Sequence, residues 1–260
     1  MRVILFEIGG FAVKSYGVIV GLAVLLTVGV AYFLARGTEY QKHIFNLVSY
    51  VLIGAILGAR IWHVFFFQWG YYSNHLLEIF SIWNGGIAIQ GALVGGFLAI
   101  AIYTWKNKIS FWALADILAP AIILGQAVGR MACFLNGDAF GAPTDSGFGI
   151  VYPEGTIAFE RYGSVPLWPV EVWEGQLNLI IFGTLIAMKN IKLPVGVLFL
   201  SYNIMYAMVR FSLEFLRGDS PRYALDWTAG QWTSMSILLI SLIAMLFFFK
   251  RKGQSKSITL

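Results

Sequence analysis

Apolar residues run along this chain in long unbroken blocks parted by short polar stretches, without the alternation of a half-buried strand. A helix that crosses a bilayer needs about 20 mostly apolar residues. Blocks at 15–35, 45–67, 85–105, 111–128, 170–188, 194–213 and 232–249 meet or approach that length, and predict an all-α integral membrane protein of seven transmembrane helices. The fifth block is the weakest, because its strongly apolar part is short and Glu171 and Glu174 stand at its start.

The polar stretches orient the spans. Arg36 with Lys42, Lys106 with Lys108, Lys189 with Lys192, and the tail residues Lys250, Arg251, Lys252 and Lys256 all fall on one side of such a topology. That side is therefore expected to be cytoplasmic, since short cytoplasmic loops collect Lys and Arg. The second loop, 68–84, carries neither residue and falls on the opposite side. The N-terminus, the connection 129–169 and the loop after Arg210 are then extracytoplasmic, and the tail 250–260 is cytoplasmic. Residues 1–14 mix Phe6, Ile8, Phe11 and Val13 with Glu7 and two glycines, and read as an interfacial arm. The 129–169 connection, rich in Gly, Pro and Asp, is too long for a turn and too polar for lipid, so a small extracytoplasmic head is expected there. No repeat or linker divides the chain, and residues 1–260 read as a single membrane domain.

Composition mainly excludes. Of 260 residues, 58% are hydrophobic and 12% charged, and the mean hydropathy is +0.75, far above a soluble domain. The net charge of +5 arises from the clusters that orient the spans, so no nucleic acid is expected as a partner. The chain has one cysteine and three scattered histidines, with no metal-ligand spacing; neither a metal nor a cofactor is expected. The first apolar block begins late and is long enough to span, so it does not read as a cleaved signal peptide.

Candidate chemistry gathers where charge meets these apolar blocks. In GRMACFLNGDAFGAPT, residues 129–144, Arg130, Cys133, Asn136 and Asp138 follow the fourth block directly. An arginine at that boundary can snorkel to the interface or hold a phospholipid phosphate. In YAMVRFSLEFLRGD, Arg210, Glu214 and Arg217 share a helix face, so two guanidiniums flank one carboxylate. Such a face is either a salt-bridge ladder or a phosphate site, because guanidinium forks match phosphate oxygens. In WNGGIAIQGALVGG, Gly91 and Gly95 permit close helix packing, and Gln90 offers an amide that can orient a headgroup but not act as a base. Tyr16, Tyr202 and Tyr206 are interfacial aromatics or hydroxyl donors into a pocket. Arg60 and Asp116 read as structural partners of each other or of cytoplasmic loops, and Glu174 as a structural partner for an arginine.

These segments together resemble the bacterial prolipoprotein diacylglyceryl transferases. The similarity covers almost the whole chain: the YG of Tyr16 and Gly17, the GAR ending at Arg60, WNGGIAIQGALVGG, DILAPAIILGQAVGR, NGDAFG, PVEVWE and RFSLEFLR, in that order. The resemblance implies a seven-helix enzyme of the bacterial inner membrane with its N-terminus outside. Its substrates would be phosphatidylglycerol and preprolipoprotein signal peptides bearing a lipobox cysteine, with membrane lipids around it. The implied reaction moves the diacylglyceryl group onto the cysteine thiol, forming a thioether and releasing glycerol phosphate. By that resemblance Arg130 and Arg210 are expected to clamp the phosphate, with Glu214 orienting Arg210. Substrate contacts are expected from Tyr16, Gln90, Asn136, Tyr206 and Arg217. The chain departs from the family at three positions: Gln90 stands where histidine is usual, Cys133 where asparagine is, and Asp138 where glutamate is. Asp138 thereby becomes the leading candidate for the base or the group that orients it. Two other readings stay open at this point: a phospholipid-binding relative with altered chemistry, and a small-molecule transporter, which the absence of paired repeats disfavours.

Overall fold

A computed structural model describes residues 1, 3–9 and 11–257. The last three residues of the expected cytoplasmic tail, and residues 2 and 10 of the expected arm, lie outside the described residues. Among those described, the chain opens with an antiparallel pair, β1 (Ile4–Ile8) and β2 (Phe11–Lys14), in the stretch expected to form an interfacial arm. Helices follow: α1 (Ser15–Leu34), α2 (Ile44–Trp62, prolonged by a wider turn over His63–Phe67), a single turn α3 (Trp69–Tyr72), α4 (Ile89–Lys106), α5 (Phe111–Asn136), a short α6 (Ile157–Tyr162), α7 (Val170–Lys189), α8 (Val197–Glu214) and α9 (Ala229–Ser257).

Five of these stretches are long and apolar enough to cross a membrane: Ser15–Leu34, Gln41–Phe67, Ile89–Lys106, Phe111–Asn136 and Ala229–Lys250. The seven expected blocks thus all form helices, of which α7 and α8 fall short in apolar character. Both place polar residues inward: Glu171, Glu174 and Asn178 on α7, and Ser201 and Glu214 on α8, are buried. Burying such groups against other helices is how a bundle keeps charge away from lipid.

The chain forms two compact units, residues 1–31 with 115–260, and residues 32–114. In the second unit α2 packs on α4 through glycines. A Cβ at Gly54 would come within 2.7 Å of Ala99 Cβ and of the Gly95 carbonyl, so the two backbones approach as closely as glycine allows. Arg60, in the last turn of α2, donates to backbone carbonyls of the 78–86 loop rather than pairing with Asp116.

In the first unit α5, α7 and α8 form the central layer. Ala119 and Ile123 of α5 pack with Ile181 and Leu185 of α7 and with Leu198 and Tyr202 of α8. Residue numbers rise along α5 and α8 where they fall along α7, so α7 is antiparallel to both. Asp116 caps α8: its oxygens accept from the backbone N–H groups of Gly196, 2.6 Å, and Phe199, 2.8 Å. A carboxylate there satisfies orphan N–H groups and complements the positive end of the helix.

The connection between α5 and α7 has its own small core of Phe140, Tyr152, Ala158 and Leu167. Strand-like bonds tie it to the segment after α8: Gly141 bridges Arg217, Ala142 N–H donates to the Leu216 carbonyl at 2.7 Å, and Gly218 N–H donates to the Phe140 carbonyl at 3.2 Å. Gly141 lies against the Trp168 and Leu216 carbonyls, so no side chain fits there.

Candidate active site

Helix α5 does not stop where its apolar block stops. It runs on to Asn136, so Arg130 and Cys133 are helical residues and the connection to α7 starts at Gly137 instead of Gly129. Gly137 ends the helix at φ +68°, with its N–H directed at the Phe134 carbonyl, 3.4 Å, while Asp138 N–H donates to the Cys133 carbonyl, 3.1 Å. This is a Schellman closure, which needs a residue tolerant of the left-handed region at that position. It delivers Asp138 immediately past the helix end. There Asn136 Nδ2 donates to Asp138 Oδ2 at 2.7 Å.

The centre of the site is Glu174, whose side chain is 0% exposed. Arg130 Nη2 donates to its Oε1 at 2.6 Å, and Arg210 Nη1 to its Oε2 at 3.1 Å. Tyr206 donates its hydroxyl hydrogen to Oε1, 3.1 Å away. Arg210 also reaches Glu214 Oε2 at 2.8 Å through Nη2, and Arg217 Nε lies 3.9 Å from the same oxygen. Arg217 is otherwise forked on Asp219, with Nε 2.8 Å from Oδ1. Gly230, in the first turn of α9, leaves room for the Glu214 carboxylate: a Cβ would lie 2.9 Å from Glu214 Cδ.

The expected residues therefore divide. Arg130, Arg210, Glu214, Tyr206 and Arg217 join one charged network, and Asn136 and Asp138 form a pair at the end of the helix that carries Arg130. Tyr16, on α1, lies within electrostatic range of Arg130, Cys133 and Asp138. Cys133 Sγ is 3.9 Å from Arg130 Nη1. Gln90 is exposed in the first turn of α4 and belongs to the other compact unit.

An apolar groove of about 470 Å³ opens between α5 and α7, lined by residues such as Val128, Met131, Phe134, Val172 and Leu179. Arg130 and Glu171 also line it. The groove is large enough for part of an acyl chain, and one arginine of the charged network borders it. Each of Arg130 and Arg210 keeps 20% of its side chain exposed, so neither guanidinium is consumed by its internal partners.

Two groups escaped sequence reasoning. Glu174 was read only as a helix-terminal partner for one arginine, whereas it holds two. Its place one turn after Glu171, at the head of an apolar helix, is the signal that both carboxylates face inward. The second is the buried Tyr152, which donates its hydroxyl to Glu171 and so fastens the α5–α7 connection to the start of α7. Burial, and then the adjoining carboxylate, push the Tyr152 phenol up, so it remains a protonated donor. Among the described residues no cluster of His, Cys, Asp and Glu is placed to hold a metal ion.

A family model described as prolipoprotein diacylglyceryl transferase matches residues 3–247 of the chain. The chain is 39% identical over 219 residues to a phosphatidylglycerol–prolipoprotein diacylglyceryl transferase of Acaryochloris marina, covering 83% of this chain and 80% of that protein. Against the protein of the same name from Listeria innocua it is 38% identical over 248 residues, covering 94% and 88%. For the Nostoc protein of that name the identity is 34% over 261 residues, covering 96% and 90%.

Proposed function

Because the chain belongs to the prolipoprotein diacylglyceryl transferase family, we propose that it moves the diacylglyceryl group of phosphatidylglycerol onto the lipobox cysteine thiol of a preprolipoprotein. The sulfur–carbon bond of a thioether forms, the carbon–oxygen bond to phosphate breaks, and glycerol phosphate leaves. One observation carries this reading: two arginines from different helices converge on the buried Glu174, and one of them borders an apolar groove that takes part of an acyl chain.

The chemistry makes specific demands. The leaving phosphate gains charge as its ester bond breaks, so cations held in place beforehand stabilise the transition state more than the ground state. Arg130 and Arg210 supply them, and Glu174 and Glu214 fix their forks. The apolar groove takes the hydrocarbon of the lipid. The attacking thiol must lose its proton, and Asp138, held by Asn136, is the acceptor within this unit; Gln90 has no basic nitrogen. Tyr16, Tyr206 and Arg217 contribute to binding the headgroup. The enzyme acts in the bacterial inner membrane, with its N-terminus outside and its C-terminus in the cytoplasm.

Incubation of the purified protein with phosphatidylglycerol and a lipobox peptide tests this directly. The expected result is a peptide heavier by one diacylglyceryl group. Clear lipid binding without that adduct favours a family member whose chemistry has changed.

A further inference from the structure

The loop between α2 and α4 is built with its polarity reversed. Its backbone turns inward onto Arg60, which is only 6% exposed. Arg60 Nε donates to the Ile79 carbonyl at 2.7 Å, Nη2 to those of Glu78 and Ser81 at 2.6 and 3.3 Å, and Nη1 to those of Gly85 and Gly86 at 2.8 and 2.9 Å. Its apolar side chains turn outward: Leu77 is 86% exposed, Phe80 77%, Trp83 78% and Ile87 67%. A loop bathed in water does the opposite, leaving its carbonyls to solvent and hiding its large apolar groups. Backbone next to hydrocarbon must instead find its hydrogen bonds within the protein.

From this reversal we propose that residues 68–89 lie in the membrane interface, with Leu77, Phe80 and Trp83 immersed among lipid chains. The occupant of this face is the bilayer itself. The loop continues the exposed apolar surface of the spans on either side, beginning at Phe65, Phe66 and Phe67 and ending at Ile89. It carries no Lys or Arg, and Trp69, Tyr71 and Trp83 are the residue types that settle where chains meet headgroups. Its one acidic side chain, Glu78, is engaged by the Tyr71 hydroxyl at 2.8 Å. Arg60 is then a positioning residue, whose donors replace the water that this loop lacks.

Spin labels test the placement. Leu77→Cys, Phe80→Cys and Trp83→Cys are each made in the full chain carrying Cys133→Ala, and reconstituted in vesicles of phosphatidylglycerol and phosphatidylcholine. Leu25→Cys on α1 serves as the lipid reference and Glu154→Cys as the water reference. The expected labels collide with oxygen more often than with a nickel chelate, as at position 25. Collision ratios like those at position 154 overturn the proposal. Slow collisions with both reagents, together with spin–spin broadening, place a second copy of the chain on this face and equally overturn it. In the native Cys133 background, the fluorescence lost on Trp83→Phe is expected to be quenched by lipids with brominated chains; an unquenched component overturns the proposal without depending on the labelled variants.

Discussion

Arg130 and Arg210, on two helices distant in sequence, are held by opposite oxygens of one buried carboxylate. Both guanidiniums are thus set in position before any lipid arrives, and both keep an exposed portion to offer it. If they hold the phosphate, Arg130→Ala and Arg210→Ala each lower diacylglyceryl transfer by roughly 10²- to 10³-fold or more, the scale of losing one preorganised charge donor. Adduct formation followed by mass reports this. Full activity in both variants would sink the clamp assignment.

Glu174 carries a separate expectation for stability. Removing a buried partner leaves the opposing charges uncompensated, at a cost on the order of 3 kcal/mol. Glu174→Ala should therefore lower the unfolding midpoint in detergent, while Glu174→Gln, which keeps the shape and one acceptor, should lower it less. Equal midpoints for the two variants would show that the shape and remaining acceptor of the side chain matter little, and that the loss comes from the missing charge alone.

Asp138 and Gln90 make opposite predictions. With Asp138 as proton acceptor, Asp138→Asn loses transfer at neutral pH while Gln90→Ala keeps a measurable rate. A single assay of the two variants separates them, and the reverse pattern refutes the assignment.

Gly137 and Gly129 form a contrast on one helix. Gly137→Ala places a Cβ against Thr156 at a left-handed position, a backbone penalty of roughly 1–2 kcal/mol before any clash. It should lower the unfolding midpoint and disturb Asp138. Gly129 is inside the helix, where an added Cβ meets nothing within 4 Å, so Gly129→Ala should raise the midpoint slightly. Thermal unfolding of both variants checks the pair.

Topology has its own test. A reporter fused after Leu260 should be active in the cytoplasm, as the clusters of Lys and Arg predict. A reporter active only on the outside would invert the drawn orientation.

Much of this fold is legible in the sequence because the membrane enforces a simple pattern: apolar blocks of spanning length become helices. The end of α5 was misjudged because Arg130 and Asn136 closed the apolar block, although Asn-Gly at 136–137 is a helix-stop signal in its own right. The β1–β2 pair was missed because strands of five and four residues leave little periodicity to read. Arg210 and Glu214 were readable as neighbours by helical spacing alone. Their connection to Arg130 was not, since it passes through Glu174 on a third helix. The partners of Asp116 and Arg60, expected to be each other or the cytoplasmic loops, were not legible for a related reason. Each satisfies backbone groups, and sequence carries no mark of which carbonyl or N–H is left without a partner.

The cap that Asp116 places on α8 has a consequence for length. From Asp116 to Arg130 along α5, and from Gly196 to Arg210 along α8, the residue count is the same, about 21 Å at ~1.5 Å per residue. The two helices run parallel, fastened to each other at one end by Asp116 and to Glu174 at the other. They act as matched spacers, each measuring the same distance from a shared baseline to the carboxylate. Inserting one residue into either would turn its arginine by about 100° and carry it off Glu174. Side chains along these spacers can change with far less harm than their number.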